Sequence, residues 1–175
     1  MDKLDIVTDE SGNEVVLLPE IIFSNKQNIN WNDVEDYLGK YVGELIEIAE
    51  TRDIIYIGNK FPDEYGGSSY TRKTKGARAK AKANAAQGIR EMVEIATDKV
   101  YRENHKEKHS EDAHNGWFYY VTRFAIPLYN NEKKTGEYNV YSACLVVNHA
   151  ANGKMYLYDV VCIKKEASNP LKTIK

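Results

Sequence analysis

Two long apolar–polar alternations in the second half of the chain limit its fold more than any other feature. In residues 117–129, Phe118, Tyr120, Phe124, Ile126 and Leu128 fall on one side, and Trp117, Tyr119 and Arg123 on the other. Side chains of a β-strand alternate between two faces, so this pattern predicts a strand with one buried face. Residues 138–148 form a second strand-like run. Asn152-Gly153 then supplies a tight hairpin signal before a third run at 154–164. With a shorter strand at 99–103, these runs predict an antiparallel β-meander.

The first half reads differently. Asn30 is a good helix N-cap, Asp33 adds negative charge to the first turn, and Trp31, Val34, Tyr37, Leu38 and Tyr41 recur at helical spacing. Residues 45–49 and 54–57 are apolar runs separated by a short polar loop, the mark of a β-hairpin. Pro62, Gly66 and Gly67 predict a loop over 59–69. Ala, Lys and Arg dominate 75–87 and predict a helix; Gly88 then separates it from a second helix over 89–97 that buries Ile89, Met92, Val93 and Ala96. The expected architecture is α+β: an N-terminal helix and β-hairpin, a central basic helix pair and a C-terminal antiparallel β-meander. Residues 1–29 read as an N-terminal extension with short strands around Pro19, 30–168 as a single α+β domain, and 169–175 as a loose tail.

Charge marks one region. Between Glu64 and Glu91 there is no acidic residue, but there are seven basic ones: Arg72, Lys73, Lys75, Arg78, Lys80, Lys82 and Arg90. The chain as a whole carries a formal charge of −2. A one-signed block in a balanced chain points to an anionic partner, nucleic acid first of all. Lys75, Arg78 and Lys82 share a helix face by i, i+3, i+4 spacing and are the expected exposed anion-binding side; Lys80 lies elsewhere on the cylinder. Tyrosine is the other unusual component, with 13 residues against 4 Phe and 2 Trp. Its flat ring with a polar tip suits base stacking, and it is equally a good strand former. Tyr119 beside Arg123 on one strand face offers a surface for base and phosphate.

Cys144 and Cys162 lie in apolar runs and read as buried free thiols of a reducing compartment. The charged first ten residues do not resemble a secretion signal, and no apolar run approaches a membrane span. A cytoplasmic protein without a membrane partner is expected.

No catalytic motif stands out. His105, His109 and His114 share one polar segment, but no Cys is near, and Lys106 and Lys108 would repel a metal cation. No metal or other cofactor is expected. Histidine can instead move protons at a ribose hydroxyl while Arg or Lys holds the phosphate, the chemistry of metal-independent RNA cleavage. His105, His109, Arg123, His149 and Lys164 supply those residue types. Gly66-Gly67-Ser68-Ser69 precedes the basic helix but has neither the Walker nor the Rossmann pattern.

Three stretches carry a resemblance. They are Ile54-Ile55-Tyr56-Ile57-Gly58 with Ser69-Tyr70-Thr71, the run from Ala79 to Thr97, and Tyr156-Leu157-Tyr158-Asp159-Val160 with Ile163-Lys164-Lys165-Glu166. Across 53–170 the chain resembles a module of polyvalent proteins common in prophages and conjugative elements of gut Firmicutes. Its helices followed by a meander are similar to the barnase–EndoU–colicin–RelE-like nuclease fold. That resemblance implies a metal-independent ribonuclease; residue type and expected face make His109, Arg123 and Tyr158 the catalytic candidates, and the basic block and aromatic strand face make Arg72, Lys73, Lys75, Arg78, Lys80, Lys82 and Tyr119 the nucleic-acid contacts. Fold does not imply activity. A non-catalytic counter-defence inhibitor that blocks a host nucleic-acid-bound effector such as a CRISPR complex, and a phage structural or assembly module, are the alternatives.

Overall fold

Three consecutive antiparallel strands form the centre of the molecule: β6 (Trp117–Asn130), β7 (Lys133–His149) and β8 (Met155–Lys165). The computed structural model describes residues 3–24, 28–103, 115–166 and 170–172. Along β6, Tyr120, Thr122, Phe124 and Ile126 are buried on the face toward the helices, as the alternation predicts. The residues between the first two predicted runs are mostly strand as well. Asn131 and Glu132, at φ 50° and 68°, make a tight two-residue turn of the kind that matches strand twist, so β7 begins at Lys133.

Six shorter strands extend this core: β1 (Ile6–Thr8), β2 (Glu14–Leu17), β3 (Leu45–Glu47), β4 (Ile54–Tyr56), β5 (Thr97–Arg102) and β9 (Leu171–Lys172). Among the described residues the order is β1-β2-β6-β7-β8-β4-β3, with β5 also on β6 and β9 also on β7. The class is α+β, but the sheet is mixed, which corrects the purely antiparallel meander. β2 lies parallel to β6 and β4 parallel to β8. Each belongs to a local antiparallel hairpin, and each hairpin reaches its long strand through a crossover connection rather than a tight turn. The tail expected to be loose returns to the sheet, pairing Tyr138 with Leu171 and Glu137 with Lys172. There Leu171 packs with Val15, Leu17 and Ala125 on the outer face of the sheet.

The helices occupy the inner face. α1 (Trp31–Leu38) starts at Asn30, whose Oδ1 accepts from the Asn32 N–H at 3.1 Å. The expected loop over 59–69 is in fact two short helices, α2 (Phe61–Gly67) and α3 (Ser69–Lys73). Pro62 sits in the first turn of α2, where its missing N–H does no harm, and Asp63 and Glu64 complement the helix dipole. Gly66 is a contact residue, not a helix breaker: a Cβ there would lie 2.6 Å from Cγ of Glu35 on α1. α4 (Gly76–Ala85) runs through a 3₁₀ turn into α5 (Ile89–Glu94). Ala79, Ala81, Ala83, Ala85 and Ala86 are all buried, so α4 is enclosed on several sides. Small side chains allow that close approach. Asn84 fastens the segment after β2 across the helix, accepting from the N–H groups of Ile22 and Phe23 at 2.8 and 3.1 Å and donating to the Phe23 carbonyl at 2.9 Å.

The thiols depart from expectation. Cys144 is half-buried and Cys162 exposed. A bulge opposite Ser142–Cys144 holds Cys162 at φ 54° and turns it outward, although it lies in an apolar run. Among the described residues no helix is long and apolar enough to cross a membrane.

Candidate ligand pocket and basic surface

The basic block divides along the path of α4. Arg72, Lys73, Lys75 and Arg78 are exposed at the corner between α3 and α4, and Lys80 is half-buried. Lys82 corrects the expected exposed face, because it is fully buried. Its Nζ donates to Asp159 Oδ1 and Thr71 Oγ1, both at 2.6 Å, and lies 4.6 Å and 5.0 Å from the ring centres of Tyr65 and Tyr70. Lys75 is the N-cap and Arg78 stands in the first turn, before α4 enters the core, and Lys82 follows that point. Burial pushes the Lys82 ammonium down and the Asp159 carboxyl up, each opposed by the charge of the other. The buried Tyr65 hydroxyl donates to the Lys82 carbonyl, and Thr71 Oγ1 donates to the Tyr65 carbonyl at 2.6 Å. Arg90 is neutralised by Glu44.

Of the catalytic candidates, Arg123 and Tyr158 are among the described residues and do not come together. Arg123 Nε donates to Glu166 Oε1 at 2.6 Å, beside a shallow groove of about 110 Å³ near Glu14 and Thr97. Arg123, Ser142 and Lys164 are register partners across three strands. Tyr158 lies at the other end of the sheet, where its ring meets Trp117 at 5.0 Å. Trp117 and Arg123 are six residues apart on β6, about 20 Å at the usual strand rise. Tyr119 shares the outer face with Arg123, and the Arg102 guanidinium covers its ring at 5.4 Å. His149 packs against Phe118 at 5.6 Å. His105, His109 and His114 lie outside the described residues. Among the described residues no three His, Cys, Asp or Glu side chains converge as metal ligands.

A pocket of about 260 Å³ has Tyr158 in its wall. It forms because β4 pairs with β8 only through Ile55–Met155 and Tyr56–Tyr156, and the chain then turns away at Gly58 into α2. The edge of β8 beyond Tyr156 is left uncovered by β4. Val146 pairs with Asp159 but Val147 with Leu157, so Tyr158 is the extra residue of a bulge. The bulge sends Asp159 inward to Lys82 and Tyr158 to the pocket wall. Phe61, Tyr156 and Leu157 supply apolar surface, and Lys60 and Glu64 supply charge. Asn148 also lines it, is 7% exposed, and its Oδ1 is buried with no hydrogen-bond partner among the described residues. Sequence reasoning placed Tyr158 at a site but missed Asn148, Tyr156, Lys60 and Glu64. The available signal was Asn148 itself, an amide directly after Val146-Val147 in an apolar strand. Compared with protein-family models, curated proteins and solved structures, the chain matches none.

Proposed function

We propose that the protein binds nucleic acid on behalf of a phage or other mobile element, through the exposed corner of Arg72, Lys73, Lys75 and Arg78. The observation that carries this reading is the state of those four side chains. They are exposed, adjacent, and have no ion-pair partner among the described residues, whereas Lys82, Arg90 and Arg123 are each held by a carboxylate. Four uncompensated cations on a chain of net charge −2 make a local anion-binding surface. The three stretches that resemble a mobile-element module supply the biological setting. A strand already held by a host effector presents the same phosphates, so such a complex is a partner of the same kind.

Binding fits better than cleavage. Arg123 is engaged by Glu166 and stands about 20 Å along the sheet from the Trp117–Tyr158 contact. The test is fluorescence anisotropy with labelled single-stranded RNA and DNA over a salt series. Four phosphate contacts predict a slope of log K against log salt near −3, at roughly −0.7 per contact. Replacing all four residues with Ser should remove most of that slope. Binding that ignores salt, or survives the fourfold replacement unchanged, would refute the assignment. Incubating the same RNA in EDTA reads cleavage independently.

A further inference from the structure

We propose that Cys144 and Cys162 form a reversible thiol–disulfide couple on the outer face of the sheet, oxidised by a small disulfide such as oxidised glutathione. The chain has two cysteines, and the fold brings both to one strand pair. Cys144 stands between Ala143 and Leu145, which both enter the core, so its own side chain leaves by the outer face, beside its register partners Val121 and Val161.

Regular alternation would send Cys162 the other way. Val160 and Ile163 are both core residues although they stand three positions apart, so an extra residue lies between them. Cys162, exposed and at φ 54°, is that residue, and it directly follows Val161, the partner of Cys144. Strands about 4.8 Å apart with a rise of about 3.3 Å per residue put the Cα atoms of such diagonal neighbours about 6 Å apart, inside the roughly 4.4–6.8 Å that a disulfide spans. In an unbroken ladder the two thiols would face opposite sides of the sheet and no bridge could close. The bulge gives them the same side.

Their surroundings set the order of reaction. Burial, and then the neighbouring Cys162 thiol, push the Cys144 thiol up, while Cys162 meets solvent. The Cys162 thiolate attacks one sulfur of the small disulfide; that S–S bond breaks, a mixed disulfide forms and one small thiol leaves. Cys144 then gives up its proton and attacks the Cys162 sulfur, and the second small thiol departs. The two protein thiols are oxidised to one disulfide, the small disulfide is reduced to two thiols, and the two protein protons end on the leaving groups. Excess small thiol reverses both steps, so under reducing conditions the pair rests as thiols. The couple is independent of the nucleic-acid reading.

The experiment equilibrates the full chain with reduced and oxidised glutathione at a series of ratios, alkylates free thiols and reads the intact mass and a non-reducing gel. Wild type should lose both alkylatable thiols together, stay monomeric, keep no glutathione and recover both thiols in excess reduced glutathione. Cys144→Ser should trap the mixed disulfide on Cys162 at least tenfold more than wild type. Cys162→Ser should take up glutathione at least tenfold more slowly than Cys144→Ser. Circular dichroism confirms that each variant is folded. A stable glutathione adduct on wild-type Cys162 with Cys144 still alkylated, a bridge formed only between chains, no oxidation at any ratio, or equal uptake by the two variants would overturn the proposal.

Discussion

The Lys82–Asp159 pair allows a sharp energetic test, because both side chains are almost wholly removed from water, at 0% and 4% exposure. Desolvation disfavours the charged form of each partner more than their mutual attraction restores it, as the downward shift of Lys82 and the upward shift of Asp159 both indicate. Removing one partner strands the other charge, which costs about 3–5 kcal/mol in comparable sites. The two single replacements should differ within that range. After Lys82→Met, Asp159 keeps the hydrogen bond from the Val160 N–H at 2.8 Å, so its loss belongs near the lower end. After Asp159→Leu, Lys82 keeps only Thr71 and two ring faces, which belongs near the upper end. The double variant Lys82→Met with Asp159→Leu leaves no stranded charge and should lie within about 1 kcal/mol of wild type or above it. Urea unfolding followed by circular dichroism measures all four proteins. For a chain of this size the single variants should also lose roughly 6–20 °C in Tm. A single variant costing under about 1 kcal/mol, or a double variant as unstable as both singles together, would refute the account.

Two further outcomes follow from contacts elsewhere. Burial pushes the Asp53 carboxyl up, but Lys99 at 2.9 Å and the hydroxyls of Thr51 and Tyr120, each at 2.7 Å, hold it below its ordinary value of 3.8. A carboxyl depressed on folding stabilises fully above its unfolded value and loses that contribution as pH falls through the folded one. Between pH 7 and pH 3, Asp53→Asn should therefore lose less Tm than wild type; equal losses would contradict this. Gly66→Ala should destabilise by about 1–3 kcal/mol despite the better helix propensity of alanine, because the new methyl meets Glu35. Glu35→Ala in the same chain should recover most of that loss, and a more stable Gly66→Ala single variant would show that α1 and α2 yield freely.

What the sequence reveals and conceals follows the range of the interactions involved. The period-two pattern of β6, the Asn152-Gly153 turn, the Asn30 cap and the β3–β4 hairpin are each decided within a few residues, and all are present. The parallel pairings are not, since nothing local tells Val16 that it will lie beside Phe124. Lys82 looks like its exposed neighbours because its partner Asp159 is 77 residues away and is turned inward by a bulge. Gly66 looks like a loop residue because the side chain that forbids a methyl belongs to α1. Part of the tyrosine abundance has an internal explanation: Tyr41, Tyr65 and Tyr120 are buried, with hydroxyls bonded to Ala86, Lys82 and Asp53. The pocket was half legible, because an amide in an apolar strand is visible in sequence while its missing partner is visible only in space.

The parallel contact between β2 and β6 also governs the order in which the molecule can be made. Val16 and Leu17 are synthesised well before their parallel partners Phe124 and Ala125, which lie far along the chain. Until β6 exists, the β1–β2 hairpin has an apolar edge and no sheet to join. Closing so long a loop before any contact rewards it makes this a late and slow step. The waiting hairpin is then exposed to association with other chains, and β1–β2 becomes a place where folding and aggregation compete.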